Sequence, residues 1–410
     1  MNPEYSMQVK RRGPITLFKT VRWMFRVCTV ALLWGSLLGC TANTPSSTVP
    51  DSSPTASKEE APKATRDFNY RIHRYDAQTA WAVGSNPANT NQLQLLMTHD
   101  GGEHWQDVTP NSDFPVSSDK ITSLDTLFAY VNPDRFWIIQ MQDQGIAVYT
   151  TADGGVSWNA GKTLSVDGVV TGFSFADEQQ GWVYVNKKTG LGYAIDEIYR
   201  TENAGSSWEM ISSVEGGGIP MDGEKAAPSF ANGQVGFMGV SMAASEPTLY
   251  RTDNGGKTWK AQKLMLSKPI EGSPHLTVLS PSFLNEQQGI LPVYYDMPGT
   301  NQVKIIFFQT TDRGQSWTEG PDIEASPDAF QLQYDFVSLS EGWLCTDRTT
   351  LYKSMPSWTP IFTAASEKID QFDFINSTSG WAVFMKDNKH LLMETKDGGQ
   401  SWSALSTSWY

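Results

Sequence analysis

The sequence predicts an all-β chain, a seven-bladed β-propeller with four-stranded antiparallel blades and Asp-box turns, on three observations. An octapeptide of the form Thr-x-Asp/Asn-x-Gly-x-x-Trp occurs six times, and a seventh copy, SMPSW at 354–358, keeps only its Trp. Ahead of each copy stands a Gly-Trp-like pair: Ala80-Trp81, Phe136-Trp137, Gly181-Trp182, Gly236-Phe237, Gly289-Ile290, Gly342-Trp343 and Gly380-Trp381. The box tryptophans at 105, 158, 208, 259, 317, 358 and 402 lie, by subtraction, 53, 50, 51, 58, 41 and 44 residues apart. A period of this length with four β-type segments per unit signals a propeller blade.

The octapeptide has a physical reading. The first copy carries Thr98, Asp100, Gly102 and Trp105, and the second Thr151, Asp153, Gly155 and Trp158. The third and fourth carry Thr201, Asn203, Gly205 and Trp208, then Thr252, Asn254, Gly256 and Trp259. Thr310, Asp312, Gly314 and Trp317 form the fifth, and Thr395, Asp397, Gly399 and Trp402 the sixth. Thr and Asp/Asn side chains bond nearby backbone N–H groups and close a tight turn. Gly supplies a backbone angle that other residues avoid, and Trp opens the outer strand and buries its ring against a neighbouring unit. The box carboxylates superficially resemble calcium ligands, but each box supplies its own N–H partners, so no metal and no cofactor is implied.

Residues 1–39 read as a lipoprotein signal peptide. Lys10, Arg11, Arg12, Lys19, Arg22 and Arg26 precede the uncharged run Val27 to Gly39, which is short for a spanning helix and fits a signal-peptide core. The run ends Leu37-Leu38-Gly39-Cys40, which resembles a bacterial lipobox and makes Cys40 the lipidation site. Residues 40–66 are rich in Ser, Thr, Pro and Ala and read as a disordered tether carrying no site. The propeller occupies 67–410, with blades at 67–112, 119–165, 167–214, 226–266, 275–324, 330–362 and 367–410. The last blade ends on its own outer strand, and the ring closes by packing with little or no strand exchange.

Of three cysteines, Cys28 and Cys40 belong to the signal segment, which leaves Cys345 as a buried small hydrophobe and permits no disulfide within the propeller. The formal charge is −13. Removing the signal segment, which carries six basic groups and Glu4, takes it to −18. So acidic a chain excludes nucleic acid and electrostatic adhesion to anionic lipid. It is expected to be a monomer, held to the membrane by its lipid alone.

Length variation falls on the loops opposite the boxes: 109–120, 186–197, 213–229, 266–276 and 295–303. Function rides on such loops over a rigid scaffold, so this face is the candidate binding face. It carries Tyr193, Asp196, Glu197, Asp222, His275, Tyr295 and Asp296, with Glu224, Glu271, Tyr294 and Asp347 beside them. Carboxylates across the central opening would suit acid–base chemistry, yet no spacing singles out a pair. His275 is the one loop-like histidine, too little for a His-based metal site.

The boxes resemble the Asp-box, or bacterial neuraminidase, repeat superfamily, which includes sialidases, Vps10/sortilin receptors and the photosystem II stability/assembly factor family. The resemblance covers 67–410. To sialidases it is limited to the boxes and Tyr70-Arg71-Ile72-His73, where the family has Pro in place of His73. Of the arginines Arg71, Arg74, Arg135, Arg200, Arg251, Arg313 and Arg348, the four from Arg135 to Arg313 lie in or beside turns. Too few remain to build on the right face the triad that clamps a sialidase substrate. Seven blades, the Gly-Trp-x-Val strand and the lipobox look most like the photosystem II assembly factors. That resemblance implies a non-enzymatic scaffold, without the basic surface that family uses. The expectation is therefore a lipid-anchored extracytoplasmic propeller, on a bacterial membrane, that recognises a protein or glycan without catalysis. Its rival is a glycan-processing hydrolase with acidic residues near the central opening.

Overall fold

Seven strands share one pattern: a run of three or more fully buried residues beginning within a position of the Gly-Trp pair, as in Ala80–Asn86, Phe136–Gln142, Gly181–Gly190 and Gly380–Lys386. A strand that is apolar on both faces must be covered on both, and here a neighbouring sheet covers each side. The computed structural model describes residues 67–110 and 127–409, apart from 143, 273, 298, 301, 326–331 and 355–356. The signal segment, Cys40, the tether and residues 111–120 of the first variable loop lie outside the described residues.

The chain is an all-β propeller of four-stranded antiparallel sheets. The first sheet runs Tyr70–Arg74, Ala80–Asn86, Asn89–Thr98 and His104–Asp107 from inner to outer edge. The second (Phe128–Tyr130 to Asn159–Ala160) and third (Val169–Phe175 to Glu209–Ser213) repeat the meander. So do the penultimate sheet (Gln333–Ser338 to Trp358–Thr363) and the last (Lys368–Phe374 to Ser403–Ala404). Between them lies a fused sheet of ten strands, from Glu224–Lys225 to Thr318–Ala325. Its joint is His275–Val278, which pairs with Ser241–Ala243 on one edge and with Val293–Tyr295 on the other. The segment expected as a variable loop at 266–276 thus ends in a strand that stitches two neighbouring units together.

Aromatic rings hold sheet to sheet. Trp81, Trp137, Trp182, Trp343 and Trp381 are at most 1% exposed. The last residue of the next inner strand lies over most of them. Phe175 stacks on Trp137 at 3.6 Å, Phe230 on Trp182 at 3.6 Å and Phe374 on Trp343 at 3.7 Å, while Tyr130 lies 4.6 Å from Trp81. Such pairs contribute about 0.5–1.5 kcal/mol beyond the area they bury. Where Ile290 replaces the tryptophan, Phe336 rests on Phe307 instead, at 5.2 Å. The indole N–H groups of Trp137, Trp182 and Trp343 also donate to box carbonyls of the next unit, Ala204, Gly255 and Gly398, at 2.8–2.9 Å.

The seam between last and first sheets differs. Arg74 replaces the ring, its guanidinium carbon 4.2 Å from the centre of Trp381. Trp105 packs 6.1 Å from Trp381, and the Phe68 amide donates to the His390 carbonyl at 2.8 Å. The expectation of closure by packing with little or no strand exchange, the last unit ending on its own outer strand, needs correction on one point: a short exchange is present. That outer strand is only Ser403–Ala404, and Ser408–Trp409 crosses to pair in parallel with His104 and Trp105 of the first sheet. The short His104–Asp107 strand would otherwise present an open edge, which main-chain pairing covers.

Candidate recognition face

The six octapeptides close as one turn. In each, the Thr hydroxyl accepts the Gly N–H (Gly102, Gly155, Gly205, Gly256, Gly314, Gly399) at 2.8–3.0 Å. It donates in turn to the Asp or Asn two residues on, at 2.7–2.9 Å. That side chain accepts the N–H four residues further, from His104, Ser157, Ser207, Thr258, Ser316 and Ser401. Hydrogen bonds from Ser401 and then Thr395 hold Asp397 down at about 2. At Asp100 burial pushes upward, but the His104 backbone and ring and Thr98 outweigh it, again to about 2. The turns also set the spacing between units: Gly155 has φ +85°, and a Cβ there would fall 2.7 Å from that of Val108 in the first sheet. Asp100, Glu103 and His104 gather ligand atoms within 4.8 Å of one another at the exposed first box, where Asp100 already binds the His104 ring at 2.5 Å. The box tryptophans Trp105, Trp259 and Trp317 are buried, and Trp158, Trp208 and Trp402 are half-buried.

On the opposite face the third sheet and the leading half of the fused sheet build one rigid platform. The stretch expected as a loop at 186–197 is a hairpin, Gly181–Gly190 and Tyr193–Thr201, turning at Leu191-Gly192. Its tip is sewn to the 213–229 segment. The Gly223 amide donates to the Gly192 carbonyl at 2.9 Å, the Ala194 amide to Met221 at 3.4 Å, and Tyr193 bridges Asp222. Beneath it the Lys225 ammonium donates to the carbonyls of Met221, Gly223 and Ala194 at 2.9, 3.1 and 3.2 Å. It also pairs with Asp196 at 3.5 Å, and Asn186 donates to the other Asp196 oxygen at 2.7 Å. Burial pushes Asp196 up and Lys225 down, against the pull of each on the other. The pair therefore fixes geometry at an electrostatic cost.

Several expected binding residues are thereby corrected. Asp196 and Glu197 are buried, at 1% and 8% exposure. Asp196 holds Lys225, while Glu197 pairs with Lys187 at 3.0 Å and accepts the Tyr199 hydroxyl at 2.7 Å, so both carboxylates are engaged within the fold. Alternation within the strand, not loop exposure, decides where they point. His275 is no loop residue either, since it opens the His275–Val278 stitching strand. Tyr295 is half-buried on Gly289–Asp296, opposite Leu276, and Asp296 is exposed at that strand's end. Tyr193 is half-buried and Asp222 exposed. What the platform presents is apolar: Leu191, 95% exposed at the hairpin tip, and Met221, 50% exposed on the segment sewn to it.

The reading of the residues also missed an acidic pair at the closing seams. Gln333-Tyr334-Asp335-Phe336 and Gln371-Phe372-Asp373-Phe374 occupy the inner strands of the penultimate and last sheets. The Gln333 amide donates to the Asp370 carbonyl at 2.7 Å, and Asp335 accepts the Phe374 N–H at 2.6 Å. One unit on, the Gln371 amide donates to the Ile72 carbonyl at 2.6 Å and Asp373 accepts the Arg74 N–H at 3.0 Å. Burial raises Asp335 to about 6. Burial first, and the charge of Asp335 second, raises Asp373 to about 7. The repeated Gln-aromatic-Asp-Phe was the available signal.

No protein-family model matches the sequence, and no curated protein matches it. Among solved structures the chain is similar to YCF48 bound to a D1 peptide, at 16% identity over 82% of this chain and 94% of that one, TM-score 0.49. YCF48 from Cyanidioschyzon merolae is similar at 14% identity over 82% and 97%, TM-score 0.49. The GH74 xyloglucanase from Xanthomonas campestris is similar at 11% identity over 84% and 68%, TM-score 0.36. At these identities and scores no partner and no activity carries over from them to this chain.

Proposed function

We propose that the chain is a lipid-anchored, extracytoplasmic, monomeric seven-bladed propeller. It binds a protein partner through the platform of the third and fused sheets and performs no covalent chemistry. The observation that carries this reading is the pairing of a rigid support with an exposed apolar crest. Lys225 and Asp196 fix the backbone from below, while Leu191 and Met221 stand in water above it. Preorganised backbone lowers the entropy cost of binding, and exposed apolar side chains gain most when covered. Branched and thioether side chains suit a polypeptide better than a glycan, which is the second class of ligand the face could take.

Asp335 and Asp373 are one raised carboxyl pair that the rival hydrolase could draw on. Each spends an oxygen on a backbone N–H of the following sheet, an arrangement that suits a staple better than an acid and a nucleophile.

Two measurements test the proposal. Membranes of the source organism are cross-linked with the full chain, with Leu191→Asp/Met221→Asp, and with Val156→Asp, which alters an exposed residue of the second box. The first variant is expected to lose a partner that the wild type and the box variant both capture. Equal capture by all three would overturn the platform as the site, and release of reducing ends from glycans by the wild type would overturn the non-enzymatic reading. Separately, Cys40→Ala is expected to move the chain from the membrane to the soluble fraction and abolish fatty-acid labelling.

A further inference from the structure

We propose that the two closing seams form a proton-operated latch, in which the Gln333/Asp335 and Gln371/Asp373 clamps hold the ring shut while their carboxyls are protonated and loosen it when both ionise.

The geometry is that of a side-chain ladder. Among the described residues, inner strands of neighbouring sheets are not paired by main chain at these seams. Gln333 and Asp335, two residues apart and so on one face of their strand, grip the Asp370 carbonyl and Phe374 amide. Gln371 and Asp373 repeat the grip on the Ile72 carbonyl and Arg74 amide. The corresponding positions before the inner-strand aromatic elsewhere are Ser174, Ser229, Ser282 and Ala129, which carry no charge. On the first sheet that position is His73, whose ring lies against Phe128 and Tyr130.

Charge cannot be neutral in its effect here. The clamps are consecutive around the ring, and each carboxyl lies in the other's field. Among the described groups around them, Arg74 is the cation of the first sheet that faces Asp373. It lies on Trp381 and is also drawn to Glu394 and Asp76. Tyr130 and Tyr334 face the acids from the second and penultimate sheets, and the phenol of Tyr130 is pushed up by burial and then by both carboxylates. Two ionised carboxylates in this setting repel each other. The Arg74 guanidinium and the amide donors, which favour the ionised form, offset burial and repulsion only in part, since both half-buried carboxyls stay raised.

The sign follows from linkage. Both carboxyls are raised above the unfolded value, to about 6 and about 7, so their contribution is fully present below the ordinary carboxylate range. It is lost as pH rises through 6 and 7.

The test is amide hydrogen exchange on the full chain between pH 5 and 8, corrected for intrinsic rates. Protection at the Phe374 and Arg74 amides is expected to fall by about tenfold or more over that range, since moving a carboxyl's midpoint by one pH unit changes the opening equilibrium by a factor of about ten. The box amides of Gly205 and Gly256 should stay unchanged. In Asp335→Asn/Asp373→Asn, which keeps an acceptor oxygen and removes the charge, the fall should vanish. Protection independent of pH in the wild type, or an equal fall in the variant, would overturn the latch. Should the variant fail to fold, infrared titration of the wild type decides: a protonated-carboxyl band that persists at pH 6 and disappears above neutrality supports the proposal, and its absence at pH 6 refutes it.

Discussion

Ala204 and Arg313 hold backbone angles that their side chains resist. Both have φ near +60°, at a box position where Gly101, Gly154, Gly255 and Gly398 stand in the other copies. An L-residue in the left-handed region is strained, and the box imposes that geometry through the Thr hydroxyl and its two partners. Ala204→Gly is therefore expected to stabilise the fold by roughly 0.5–1 kcal/mol, measured by urea denaturation. The Trp137 indole would keep its bond, because it reaches the Ala204 carbonyl and not the side chain. Arg313 is a different case, since its guanidinium binds the Glu286 carboxylate at 2.8 Å and that contact would be lost with the strain.

Among elements, those that repeat were legible and those that occur once were not. The Thr, Asp/Asn and Gly of each box announce a turn because their bonds are local, within four residues. The buried Gly-Trp strand is likewise visible as an uninterrupted apolar run. The platform was hidden for the opposite reason. Lys225 meets Asp196 across 29 residues, and nothing in either neighbourhood announces the other. The 186–197 stretch looked like a loop because Gly190, Gly192 and polar residues dominate it, yet the pairing of Gly181–Gly190 with Tyr193–Thr201 continues through them. Tertiary pairing overrode weak strand propensity. Removing one partner of the buried ion pair leaves the other charge uncompensated, so Lys225→Met should cost about 3–5 kcal/mol of unfolding free energy. Lys225→Met/Asp196→Asn should recover part of that loss, read by the same denaturation and combined as a double-mutant cycle.

For the whole molecule, opposite titrations bracket stability. Asp100 and Asp397 sit near 2, so their contribution is present above the ordinary carboxylate range and disappears as pH falls through 2. Asp335 and Asp373 act in the other direction, at 6 to 7. The ring should be most stable in mild acid, with box turns failing first on one side and closing seams on the other. The indole bonds lapse on the two sides of the first sheet: among the described residues Trp81, facing the second sheet, and Trp381, facing the first from the last, have no hydrogen-bond acceptor. Trp137, Trp182 and Trp343 all have one. The first sheet is thus less tied to its neighbours through tryptophan than the sheets those three indoles serve.

It is also the sheet whose rim is completed by residues some three hundred positions away. The pairing of Ser408–Trp409 with His104 and Trp105 runs through main chain, and main-chain bonds are indifferent to which molecule supplies them. Two copies that exchanged this short segment would satisfy the same bonds as each alone, with the three-residue link between Ala404 and Ser408 as the stretch on which such an exchange would pivot.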